Sequence, residues 1–142
     1  MVDRQRTDAV PGAWMFALSF SLLICHELDA MIRREWELLP GLSGLSEDVA
    51  ADVFTLLHIP LFAVPLWLLT SGSTAARRRT IVVVEALAVA HALAHALLRG
   101  AEAYRFEPPV ETVTVFGAAL VGALHLVVMR RGSEPTRSVV VS

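Results

Sequence analysis

Four stretches of this chain are apolar for long enough to cross a lipid bilayer, and polar punctuation separates them. The first begins near Gly12, stays apolar through Cys25, and continues as the mixed segment HELDAMIRREWELL until Pro40 stops it. The second runs from about Asp52 to Thr70, with a helical start near Ser46, because Ser followed by Glu47 and Asp48 suits a helix N-terminus. The third, IVVVEALAVAHALAHALL, ends before Gly100, and the fourth follows Pro108-Pro109 and reaches about Met129. Each apolar stretch is roughly 18–21 residues, close to the ~20 needed to cross a ~30 Å hydrocarbon layer. The pattern predicts helices over about 12–38, 47–70, 80–99 and 110–130 and a disordered tail from 132, within one domain spanning 1–142. It describes an all-α integral membrane bundle of four transmembrane helices, up-down-up-down. No small-x-small cleavage site follows the first run, so it reads as a retained helix and not a signal peptide. Pro60 and Pro65 kink the second helix, which is tolerable only where the freed carbonyls face other helices.

Composition places the chain in the same class. It is 55% hydrophobic and 18% charged, with mean hydropathy +0.58, outside the soluble average. A formal charge of −2 gives no basic face for nucleic acid. One cysteine, Cys25, excludes an intrachain disulfide and reads as a packing residue. No Gly-rich phosphate loop, nucleophile elbow or internal repeat is present.

Arginine sets the topology. The N-terminus (Arg4, Arg6), the 71–79 loop (Arg77, Arg78, Arg79) and the C-terminus (Arg130, Arg131, Arg137) hold eight of the twelve arginines. The positive-inside rule then puts both termini in the cytoplasm of a plasma-membrane protein. Trp14 and Trp67 fall at the inner interface and Trp36 and Tyr104 at the outer one, as an aromatic belt.

All five histidines lie inside the apolar segments, where an ionisable group is a functional candidate by default. At ~1.5 Å per residue, His26, His58 and His95 sit roughly 6–8 Å below the outer surface. His91 is one turn deeper than His95, and i,i+4 spacing lets the two address one point. His26 and Asp29 share a face of the first helix at i,i+3. The sequence thus offers His26, Asp29, His58, His91 and His95 as metal ligands of a type suited to zinc or iron. Glu27 is the candidate general base, and Glu102 a candidate to orient a ligand. Glu85 and His125 share a depth near the inner side, and read as a structural polar pair joining helices three and four.

Three readings follow. The first is a metal-dependent membrane enzyme acting on a lipid-like or small apolar substrate. The second is an electron-transfer protein in which facing histidines ligate haem b. The third is an accessory subunit whose histidines only hold helices together, beside a membrane partner or a second copy of itself.

HELDAMIRREWELLP (His26 to Pro40), FTLLHIPLF (Phe54 to Phe62) and the third-helix HxxxH resemble a family of uncharacterised four-helix membrane proteins with the pattern H-E-x-D-A…E-W…H-x-P-L-F. The pattern is more distantly similar to the HXXEE-motif membrane proteins, whose His and acidic residues are suspected of forming an active site. This chain has Asp29-Ala30 in place of the paired acids, so the resemblance implies a role only for His26 and Asp29. Glu35 and Trp36 also fit the pattern, but read as interfacial anchors.

Overall fold

The structure, a computed structural model, describes residues 12–107 and 109–132. The tail read as disordered, and Arg4, Arg6 and Arg137, lie outside the described residues. Four long helices account for most of the described chain: α1 (Ala13–Arg33), α2 (Glu47–Ser71), α3 (Thr74–Leu98) and α4 (Gly117–Arg131). A π-helical turn, Thr112–Phe116, leads directly into α4, and the pair forms a span of 20 residues. All four are long and apolar enough to cross a membrane.

α1 stops five residues before the end expected from the sequence. Arg34 adopts a left-handed conformation (φ 60°, ψ 46°), and its N–H bonds to Ala30 O to close the helix. Such a conformation costs an L-residue roughly 1–2 kcal/mol. Carboxylates offset it here: Arg34 pairs with Glu37 and with Glu47, each at 2.8 Å. The chain turns sharply and resumes as a 3-10 turn, Glu35–Leu38, that buries both Glu35 and Trp36. Trp36 is therefore no interfacial anchor. It packs with Ala30, Ala50, Phe54 and Phe106 in an apolar cluster that caps this end of the bundle.

The other end also differs from the expected layout. Only Gly72 and Ser73 separate α2 from α3, and Ser73 Oγ caps α3 by accepting from Ala76 N at 3.2 Å. That cap satisfies an orphan N–H, so the helix starts early and Arg77, Arg78 and Arg79 sit in its first turns, outside any loop.

Packing is uneven. α3 and α4 approach through small residues, with Ala88, Ala92, Ala118 and Gly122 buried, as close helix contact in lipid requires. α2 is the outlier. It retains Pro60 and Pro65 inside the helix, and only 6% of its apolar window is buried. A cavity of about 570 Å³ separates its inward face from α1 and α3. Cys25, expected as a packing residue, is exposed.

Candidate functional site

Three helical turns and one loop turn converge on a single point near the Trp36 end. His26 comes from α1, Glu35 from the 3-10 turn, and His91 and His95 from successive turns of α3. One ligand atom from each lies within 4.8 Å of all the others. His26 Nε2 stands 2.8 Å from His91 Nε2 and 3.3 Å from Glu35 Oε2. Glu35 Oε1 is 3.7 Å from His91 Nε2 and 3.8 Å from His95 Nε2. Two ligands bound at ~2.0–2.1 Å to a tetrahedral ion are about 3.3 Å apart, so these separations bracket the spacing an ion would impose.

The site is largely buried. His26 is fully buried, and His95 and Glu35 nearly so. Phe106 covers it, with ring centroids 5.4 Å from His26 and 4.7 Å from His95. Two of its buried polar atoms, His26 Nδ1 and Glu35 Oε2, have no hydrogen-bond partner. Glu35 Oε2 lies near His26 Nε2 but accepts no well-directed bond from it. A buried carboxylate set among three imidazoles with one oxygen unsatisfied is a costly arrangement unless a cation joins them. Burial works to raise the Glu35 pKa, but the facing imidazoles of His26, His95 and His91 outweigh it. The carboxyl is held at about 2, so it stays available as an anionic ligand.

Behind the ligands stands a second layer. His95 Nδ1 lies 3.0 Å from the Tyr104 hydroxyl and 3.5 Å from Glu111 Oε1. Tyr104 donates to Glu111, so its oxygen is left to accept from His95 Nδ1–H. That proton placement leaves the Nε2 lone pair facing Glu35 and the other histidines. A carboxylate behind a histidine is how metal proteins fix the tautomer and orientation of the ring. Burial first, and then the bond and charge of Glu111, push the Tyr104 pKa up, keeping the hydroxyl a donor. Glu111 is itself buried and is also paired with Arg99 at 3.4 Å.

Of the ligands expected from the sequence, His26, His91 and His95 come together, while Asp29 and His58 stand outside the group. Asp29 is taken by Arg33, one turn along α1, at 3.3 Å. His58 donates through Nδ1 to Phe54 O at 2.7 Å, which leaves Nε2 2.9 Å from Glu27 Oε2. Because a carbonyl cannot donate, the Nδ1 proton is fixed, and one further proton must lie between Nε2 and Glu27. Glu102 is exposed and away from the site. Glu35, Glu111 and Tyr104 were missed as site residues. The only sequence signal was that Glu35 belongs to the same motif as His26.

The second expected constellation is a separate, fully buried network. His125 Nδ1 lies 2.8 Å from Glu85 Oε1, and Ser19 donates to Glu85 Oε2 at 2.6 Å. Gly122 makes room for it: a Cβ there would collide with the Glu85 carboxylate.

Fold and site together define a four-helix membrane protein with a buried His/Glu group able to hold a metal ion. The chain belongs to a family of unknown function, DUF6713, whose model matches residues 12–132. No curated protein and no solved structure matches it.

Proposed function

We propose that His26, Glu35, His91 and His95 bind one divalent metal ion, zinc or iron, and that the protein is a metal-dependent membrane enzyme. The observation that carries this reading is the convergence of three imidazole Nε2 atoms and a carboxylate on one largely buried point, with His95 held from behind by Tyr104 and Glu111. Three imidazoles and a carboxylate suit either metal, and an ion held there would act as a Lewis acid on a substrate oxygen by adding a fifth ligand from the cavity side. Glu27 and His58 hold a shared proton in the same cavity that Glu35 and His91 line, and serve as the acid–base pair. The haem alternative gains no support from the packing, since the three rings lie 4.7–4.8 Å apart in edge-to-face or tilted contact. Similarity to the HXXEE-motif proteins rests on His26 alone in this reading, since Asp29 is turned toward Arg33.

The protein is placed in the plasma membrane with both termini cytoplasmic and the metal centre near the outer face, on the strength of the arginine distribution. Elemental analysis of the purified full chain tests the central claim. One zinc or iron per chain, with no Soret band, is the expected result. A protein holding less than about a tenth of an equivalent after isolation under conditions that retain tight sites (apparent stabilisation of ~10 kcal/mol or more) overturns it.

A further inference from the structure

The cavity bounded by α1, α2 and α3 has one chemistry along most of its length and another at one end. Phe20, Leu57, Leu61, Phe62 and Leu87 supply apolar wall, and the polar groups exposed to it are confined to Glu27, Glu35, His58 and His91. These four lie together at the level of the metal centre. Both flanking walls belong to membrane-spanning helices, and the lining Leu57, Leu61 and Leu87 are about half exposed, so the apolar length of the cavity is open between α2 and α3 toward hydrocarbon. A site with a long apolar wall, a polar end and lateral access to lipid matches an amphiphile that arrives through the bilayer.

Its size narrows the class. About 570 Å³ falls inside the roughly 300–1,000 Å³ range of small-molecule sites. A methylene is close in size to the roughly 30 Å³ of a water molecule, so the space holds one chain of under about twenty carbons and not two. The polar end also limits the head. His91 and Glu35 face it from one side, and the Glu27–His58 pair, with its single shared proton, from the other. A small oxygen-bearing head can take up hydrogen bonds at that end while its chain lies along the apolar wall.

We propose that the crevice binds a single-chain amphiphile with a small oxygenated head, the chain lying along Leu57, Leu61 and Leu87 and the head between His91 and the Glu27–His58 pair. This rests on the reading of His26, Glu35, His91 and His95 as the working centre.

The test is photolabelling of the full chain in phosphatidylcholine nanodiscs with a 16-carbon alcohol bearing a mid-chain diazirine, read by peptide mass spectrometry. Metal content is measured on the same samples. Label is expected on Leu57, Leu61 and Leu87, in excess over the more exposed Leu93, Leu97 and Leu120. Ala90→Phe on the α3 wall and Leu57→Trp on the α2 wall should each reduce crevice labelling about tenfold by filling space the chain would occupy. Leu120→Phe should leave it unchanged. His95→Ala should remove the metal and keep the label.

Label spread evenly over all exposed leucines, or insensitive to both filling variants, overturns the proposal. So does a crevice that crosslinks only to a second copy of the chain. A focused label on wild-type protein that carries no metal keeps the crevice assignment and overturns the metal centre, so the two readings fail separately.

Discussion

His26 and His91 bring their Nε2 atoms to 2.8 Å of one another across α1 and α3. Without a cation between them, one nitrogen must carry a proton and donate to the other, and Glu35 must share what remains. With a cation, both present lone pairs and the carboxylate completes the set. Substitution of any one member should therefore release the metal, whereas substitution of the two excluded candidates should not. His26→Ala, His91→Ala and Glu35→Gln are expected to leave less than about a tenth of an equivalent, each loss removing one of the three or four ligands a stable site needs. Asp29→Asn and His58→Ala should retain the full complement by elemental analysis. Metal loss from His58→Ala comparable to that from His91→Ala would contradict the geometry.

Tyr104 and Glu111 are expected to act through His95. Tyr104→Phe removes the hydroxyl that accepts from His95 Nδ1, and Glu111→Gln removes the charge behind it. Partners of this kind typically contribute 10–100-fold in metal affinity. Competition with a chelator should show both variants weakened by about that factor, while unfolding in detergent changes less than for Glu35→Gln.

The Ser19–Glu85–His125 network should couple strongly in a double-mutant cycle. Glu85→Ala alone takes the carboxylate from His125 Nδ1, and His125→Ala alone leaves the buried carboxylate with Ser19 but without its imidazole. The double variant should be less destabilised than the sum of the singles, by about 0.5–2 kcal/mol for a hydrogen-bonded pair in a membrane bundle. Thermal unfolding of the four proteins in one detergent measures it. Strict additivity would mean that the contact is energetically idle.

Gly122 offers a sharper check on the same contact. A methyl group placed there meets the Glu85 carboxylate and comes within 3.4 Å of Ser19 Oγ. Gly122→Ala should destabilise the bundle by about 1–3 kcal/mol, the usual range for overpacking a tight interface. Gly44→Ala, where nothing lies within 4 Å of the added Cβ, should change the unfolding temperature little.

Both termini are expected in the cytoplasm. Terminal fusions to a reporter active on only one side of the membrane test this directly, and activity of either fusion on the far side would invert the depth labels.

Much of the fold was legible because membrane helices announce themselves by length and apolarity. Depth arithmetic also grouped His26, His91 and His95 correctly in space, since regular helices convert residue number into height. It failed for His58, which shares their height but spends its free nitrogen on Glu27. Height alone cannot say which way a ring turns. Glu35 was hidden for a different reason. On a continued helix it would sit nine residues beyond His26, half a turn round at ~100° per residue and about 13 Å farther along. Only the left-handed Arg34 folds it back, and arginine is not a residue that advertises that conformation. Glu111 was overlooked because an acid just after a Pro-Pro pair, at the start of a helix, is ordinarily solvated.

None of the four proposed ligands belongs to α2. The ion would clasp α1, the 3-10 turn and α3, while α2 is held to α1 chiefly by the Glu27–His58 contact and by the apolar cluster at the Trp36 end. Displacing the middle of α2 outward breaks the Glu27–His58 contact and exposes mainly hydrocarbon-facing surface to hydrocarbon, while the Arg34–Glu47 pair holds the start of the helix and no ligand is disturbed. Exchange of a bound chain can thus proceed by a motion of α2 that leaves the four ligands in place. The two prolines that weaken α2 as a rod place its flexure beside the crevice and leave the clasp rigid.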